Sequence, residues 1–369
     1  MNNSSKAIGI YIHIPFCKSK CPYCDFYSSR ADESAYDKYL SILIDNIKYW
    51  GKKATEKVST IYIGGGTPSI LGASRLCKIL NTINESFNVI NDAEISVEIN
   101  PESGKNINFS VLQQCGFNRI SIGLQSSNPD ELKALGRIHS AEEAKLTVNK
   151  AQACGISNIS LDLMMGIPYQ TIVSLEKSIE FCAKCNVTHI SSYILKIEKN
   201  TKYDKIRDKL ILPDEDKQAE LYLYAVEKLK ELGYNQYEIS NFSKQGFESC
   251  HNINYWECGE YIGIGPSAHS FYKGKRFYYP SSIAEFENNK YIIDCDGGSE
   301  EEFIMLSLRL SKGLNSNDFL HKFGKSLSAE FLNKVNKYVK YGLMQYNNDS
   351  ISFTPQGFLL SNTILSDLI

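Results

Sequence analysis

The sequence predicts an α/β protein, a partial (β/α)6-type barrel followed by a small helical, winged-helix-like domain. Three observations carry the prediction. Six β-rich segments alternate with helical ones over the first half of the chain. Each of those strands has one aliphatic and one polar face. Directly after the first strand, "PFCKSKCPYCDF" (15–26) sets three cysteines within eight positions.

The strands read AIGIYIHIP (7–15), STIYIGG (59–65), AEISVEIN (93–100), NRISIGLQ (118–125), SNISLDLMM (157–165) and THISSYILK (188–196). Amphipathic stretches such as ESAYDKYLSILIDNIKYW and SAEEAKLTVNKAQACG lie between them. Strand alternating with helix builds βαβ units and a parallel sheet. A parallel sheet buried in protein on both faces reads as continuous apolar runs. Here Ile10, Ile12, Ile61, Ile63, Val97, Ile120, Ile122, Ile159 and Leu161 mark one face, while Tyr11, His13, Tyr62, Glu94, Glu98, Ser121, Gln125, Ser160, Asp162, Ser191 and Tyr193 mark the other. Carboxylates and an amide facing a lumen need a ligand or water to satisfy them. The polar residues fall late in their strands, where α/β folds hold ligands. That favours a barrel curved around a cofactor over a doubly wound open sheet.

Bulk properties narrow the class. The chain has 369 residues and a formal net charge of −2, which offers no footprint for nucleic acid or membrane surfaces. The opening MNNSSKAIGI lacks a basic segment followed by an apolar run, so no signal peptide is expected, and no stretch approaches the length of a membrane span. A cytoplasmic location is expected. There the eleven cysteines are expected as thiols. Cys77, Cys115, Cys154 and Cys295 read as small core residues. Cys182 and Cys185 form a CxxC inside a helical stretch, with no second pair nearby to make a metal site.

Cys17, Cys21 and Cys24 are the candidate metal ligands. Three thiolates on a [4Fe–4S] cluster leave one iron open for a chelating cofactor. Zinc would need a fourth ligand. His13 is the nearest in sequence, but it stands on the strand rather than in the cysteine loop.

YxHxPFCxxxCxxC resembles the radical S-adenosylmethionine enzymes, in the branch of oxygen-independent coproporphyrinogen oxidase and its heme-chaperone relatives. The resemblance runs over nearly the whole chain. It implies a barrel of the radical S-adenosylmethionine kind, a [4Fe–4S] cluster and S-adenosylmethionine chelated to its open iron. An electron from the cluster would then break the sulfonium bond, giving methionine and a 5′-deoxyadenosyl radical. By the same resemblance, Tyr11, Tyr23, Gly65, Gly66, Thr67, Glu98, Gln125, Arg137 and Asp162 fall at cofactor-contacting positions. "GGGTP" (64–68) matches the loop that meets the methionyl end, and missing Cβ atoms let backbone approach a ligand. A carboxylate suits ribose hydroxyls and an arginine suits a carboxylate. Taken singly, Arg137 also reads as a buried ion-pair partner and Asp162 as a helix cap.

Two departures separate this chain from the oxidase. The oxidase carries a fourth cysteine two residues after the third, where this chain has Phe26, and an N-terminal extension, where only ten residues precede Tyr11. "HNINYW" (251–256) resembles the HNxxYW motif of the heme-chaperone members. Imidazole is an axial heme ligand and an indole stacks on porphyrins. His251 is therefore the candidate heme ligand, with Asn252, Tyr255 and Trp256 beside it; a hydrogen-bonding role for His251, or ligation by Cys250 or His269, stays open. The resemblance implies heme as cargo, an acceptor protein still to be identified and an electron donor, with peripheral membrane contact only through the acceptor. Decarboxylation of coproporphyrinogen is the alternative function, and radical methyl transfer a third. No catalytic residue is singled out.

From about residue 297 short helices, EEFIMLSLRL, SNDFLHKF and SAEFLNKVNKYVKYG, precede LMQYNNDSISFTPQG, which reads as a hairpin turned at Asn347–Asn348–Asp349, and a last helix. Winged helices often bind DNA. Seven Lys/Arg against six Asp/Glu over 301–369 make no phosphate-binding footprint, so a packing or docking role is expected. The expected units are the barrel (1–240), an HNxxYW-containing extension (241–296) and the C-terminal domain (297–369).

Overall fold

The computed structural model describes residues 7–369; residues 1–6, where the reading for a signal peptide begins, lie outside them. The six expected strands are β1 (Ile8–Ile14), β2 (Lys57–Gly65), β3 (Asn88–Ile99), β4 (Arg119–Gln125), β5 (Asn158–Met165) and β6 (His189–Ile194). They pair in parallel and in chain order. A doubly wound sheet reverses its strand order at a switch point. Here the order never reverses, so successive βα units wind one way and leave one face of the sheet as a lumen.

Aliphatic rows set the register. Ile12 pairs with Ile63, Ile61 with Ile95, Val97 with Ile120, Ile120 with Ile159 and Leu161 with Ile190. All of them are buried under the helices. A one-residue slip would bring the polar row into this core. β3 starts at Asn88, five residues before the expected start, because it extends along β2 through Val58–Val89 and Lys57–Asn88 pairs.

The sheet is longer than the sequence reading. β7 (Asn235–Glu238) and β8 (Asn241–Ser243) continue it past β6, antiparallel. On the other side β9 (Tyr261–Ile264) pairs in parallel with β1, followed by β10 (His269–Tyr272), β11 (Lys275–Tyr278) and β12 (Ile292–Asp296). The result is one open, mixed sheet of twelve strands. Cys295 corrects an expectation. It is exposed, not a core residue, because β12 is the outermost strand and all five of its residues face solvent. Cys77 and Cys115 are half-buried on helices, and Cys154 is half-buried just past the end of the helix Ala141–Ala153.

The C-terminal part holds helices Glu300–Ser307, Ser316–Phe323 and Ala329–Lys340 against a small antiparallel sheet of β13 (Leu314–Asn315), β14 (Met344–Asn347) and β15 (Ser350–Phe353). Asn348 and Asp349 both take positive φ, 46° and 65°, which makes the expected tight hairpin turn. The last helical stretch is two helices, Pro355–Leu359 and Ser361–Leu368. No described helix is long and apolar enough to cross a membrane.

Candidate functional site

The C-terminal ends of the parallel strands open on a cavity of about 590 Å³. The cysteine loop forms one wall. Its two ends are joined to each other and to the residue after β1 by backbone hydrogen bonds, from Cys17 N–H to Ser29 O (3.0 Å) and from Ser29 N–H to Pro15 O (2.9 Å). His13 supports the loop from below. Its Nε2 lies 3.0 Å from Tyr27 O and its Nδ1 2.9 Å from Tyr11 Oη. Both ring nitrogens are thus engaged within the fold. Cys17, Cys21 and Cys24 all line the cavity. Burial pushes the Cys24 thiol up to about 11, so a metal there must displace a proton.

The glycine loop after β2 is laced to the cysteine loop. Gly66 N–H donates to Ile14 O (2.8 Å) and Thr67 N–H to Phe16 O (2.7 Å). Thr67 Oγ1 donates to Cys17 Sγ at 3.5 Å. A Cβ on Gly66 would stand 2.5 Å from Phe16 O, so no other residue fits this approach.

The remaining walls are polar. Glu98 accepts from Tyr62 Oη (2.9 Å) and from Gly65 N–H (3.1 Å). Burial, helped by the charge of Asp162, raises its carboxyl to about 7. Asp162 accepts from Ser121 Oγ at 2.9 Å, and burial raises its carboxyl too. Gln125 ends β4 with φ 74° and accepts from Tyr193 Oη at 2.9 Å. Arg137 donates to Tyr23 Oη. Two carboxylates and a guanidinium on one cavity suit a ligand that carries a cation, a carboxylate and hydroxyls together.

The cavity gathers all three cysteines with Tyr23, Gly65, Gly66, Thr67, Glu98, Gln125, Arg137 and Asp162. Tyr11 stands behind it, bonded to His13 and stacked on Tyr62 at 6.3 Å. Asn100, Ser121, Ser191 and Tyr193 also line the cavity although no motif singles them out, and Asn252 joins them from the HNxxYW segment. The alternation that selected Glu98 applies equally to Asn100 two residues on, whose Nδ2 donates to Thr67 Oγ1 at 3.2 Å. Ser121, Ser191 and Tyr193 were on the polar face but matched no motif.

The HNxxYW segment is the helix Cys250–Trp256. Glu94 caps it, accepting from the Cys250 and His251 N–H groups at 2.9 and 3.0 Å. His251 lies under the helix, 1 % exposed. Its Nδ1 is 2.8 Å from Thr60 Oγ1, its Nε2 2.7 Å from Tyr255 Oη, and its ring stacks on Tyr62 at 5.3 Å. Burial pushes the imidazole down to about 3, so it is neutral at ordinary pH. Asn252 brings the motif to the cavity wall. Cys250 and His269 are exposed, the latter stacked on Tyr278 at 5.2 Å. Cys182 and Cys185 are buried in the apolar core, where desolvation raises both thiols.

The radical SAM superfamily model matches residues 11–182, and the HemN C-terminal domain model matches residues 301–360. The chain is 35% identical to the heme chaperone HemW of Bacillus subtilis, over 96% of this chain and 97% of that one. It is 34% identical to the heme chaperone HemW of Haemophilus influenzae, over 97% of each. The solved structure of coproporphyrinogen III oxidase (HemN) from Escherichia coli, a radical SAM enzyme, superposes with a TM-score of 0.82 at 21% identity, covering 98% of this chain and 90% of that one. That likeness is one of fold.

Proposed function

The chain belongs to the HemW heme-chaperone family of radical S-adenosylmethionine proteins, and from that membership we propose that it binds heme and passes it to an acceptor protein. The supporting observation is the single cavity on which the cysteine loop, the glycine loop, the late-strand polar residues and Asn252 of the HNxxYW helix meet.

Cys17, Cys21 and Cys24 would hold a [4Fe–4S] cluster, and their soft thiols on a backbone-pinned loop fit that group. When bound, the cluster supplies an electron able to cleave a sulfonium. Gly65, Gly66 and Thr67 would let S-adenosylmethionine lie close to backbone. Glu98 and Asp162 would receive its ammonium and ribose hydroxyls, and Arg137 its carboxylate. We place this work in a reducing cytoplasm, where the cysteine loop stays free to take a cluster. His251 is the proposed heme-iron ligand, and its Nε2 must leave Tyr255 Oη to reach iron. Cys250, exposed beside it, is the competing ligand.

Anaerobic heme titration of the cluster-loaded protein tests the proposal. Stoichiometric binding that weakens at least about tenfold in His251→Ala, and not in Cys250→Ser, is expected. Unchanged affinity in His251→Ala overturns the ligand assignment. Catalytic decarboxylation of coproporphyrinogen III by the same sample, read by mass spectrometry, would make the protein an oxidase and overturn the chaperone reading.

A further inference from the structure

We propose that Tyr62 is a positioning residue that couples filling of the cysteine-lined cavity to the packing of the helix that carries His251. The proposal rests on the reading that S-adenosylmethionine fills that cavity.

Strand β2 serves both places. Thr60 and Tyr62, two residues apart, share its lumen face, and the strand runs on into the glycine loop. Thr60 Oγ1 holds His251 Nδ1 at 2.8 Å, and the Tyr62 ring lies along the imidazole at 5.3 Å with 25° between the planes. At its other end Tyr62 donates its hydroxyl to Glu98 Oε1, while Oε2 takes the Gly65 N–H. One carboxylate thus ties the tyrosine to the loop that receives the ligand. The packing has no slack. A Cβ on Gly64 would stand 2.8 Å from Tyr62 Cε1 and 2.9 Å from Glu98 Oε1.

The direction of the coupling follows from charge. A cationic ligand beside Glu98 keeps the carboxylate ionised, and an ionised carboxylate accepts a hydroxyl more strongly than a neutral one. The Tyr62 ring is then held in one orientation, and with it the seat of His251. Filling the cavity should therefore tighten the helix Cys250–Trp256, and emptying it should ease the release of His251.

The experiment is amide hydrogen exchange of peptides covering 250–256, in cluster-loaded protein with and without saturating S-adenosylmethionine, occupancy being measured by titration on the same samples. The expected result is a slowing of about fivefold in the wild type that disappears in Tyr62→Phe. Thr60→Val loosens the helix without touching Glu98 and should keep the ligand-induced slowing. No slowing in the occupied wild type, persistent slowing in occupied Tyr62→Phe, or its loss in Thr60→Val each overturns the proposal. A wild type that fails to bind S-adenosylmethionine is detected in the titration and overturns the underlying reading instead.

Discussion

Tyr23 Oη accepts two hydrogen bonds from Arg137, at 2.6 Å from Nη2 and 3.1 Å from Nε. The tyrosine stands between Cys21 and Cys24, and the arginine follows the helix Pro129–Ala134. The pair therefore clamps the tip of the cysteine loop to the far wall of the cavity. The Arg137 Nη1 also reaches Asn100 Oδ1 at 3.5 Å, which brings the end of β3 into the same clamp.

Removing the hydroxyl should loosen that tip. Hydrogen bonds to a charged partner contribute more than neutral ones, so Tyr23→Phe should cost about 1.5 kcal/mol in urea unfolding of the cluster-free protein. The cluster-loaded variant should lose iron faster under a chelator. Equal iron-loss rates would mean that the clamp does not hold the loop.

Glu98 makes the cavity sensitive to pH. Its carboxyl is raised to about 7 in the folded protein, chiefly by burial, from an ordinary value of 4.5. Between those two values the folded state holds more protons than the unfolded one, so Glu98 lowers stability as pH rises through the window. Above about pH 7 the penalty is fully present, on the order of 3 kcal/mol. Glu98→Gln should accordingly stabilise the cluster-free protein at pH 8 and change little at pH 4.5. Binding runs the other way. A cationic ligand favours the ionised carboxylate, so affinity for S-adenosylmethionine should rise from pH 6 to pH 8 in the wild type, and calorimetry should find that rise gone in Glu98→Gln.

The legible parts were those that repeat. Alternation of residues such as Ile10, Tyr11, Ile12 and His13 identified β1 to β6 and their lumen face, and the cysteine spacing with GGGTP located the cavity. β7 to β12 are three to five residues long, too short for a two-residue period to register. The place of His251 was hidden for a different reason. Its ring is fixed by Thr60 and Tyr62, almost two hundred residues earlier, and no local pattern reports such a contact. The motif marks the helix Cys250–Trp256, and tertiary packing decides which of its side chains reach the cavity.

His251 also titrates in a revealing direction. Burial pushes its folded value down to about 3, while the unfolded chain protonates near 6.5. Below pH 6.5 the unfolded state binds the extra proton, so this contribution to stability is present at neutral pH and lost as pH falls toward 3. His251→Phe keeps the ring but leaves the Thr60 and Tyr255 hydroxyls without their partner. It should lower stability at pH 7.5 by about 2 kcal/mol and flatten the fall between pH 6.5 and pH 4. An unchanged acid limb in thermal unfolding would place the sensitive group elsewhere.

Gly66 and Gly72 separate two reasons for glycine. A Cβ on Gly66 meets the carbonyl oxygens of Phe16 at 2.5 Å and Ile14 at 2.9 Å. Those carbonyls also accept the Thr67 and Gly66 N–H groups, so the loop cannot retreat without breaking both bonds. At Gly72 a Cβ meets nothing within 4 Å, but φ is +76°. Gly72→Ala should therefore cost about 2 kcal/mol through backbone strain and leave iron loading intact. Gly66→Ala should cost about 2–3 kcal/mol and displace Thr67 from Cys17. Iron retained after anaerobic reconstitution should fall to less than about half in Gly66→Ala alone, because only there does the strain fall on the wall shared with the cysteines. Equal iron content in the two variants would show that the glycine loop is needed for folding and not for holding the site.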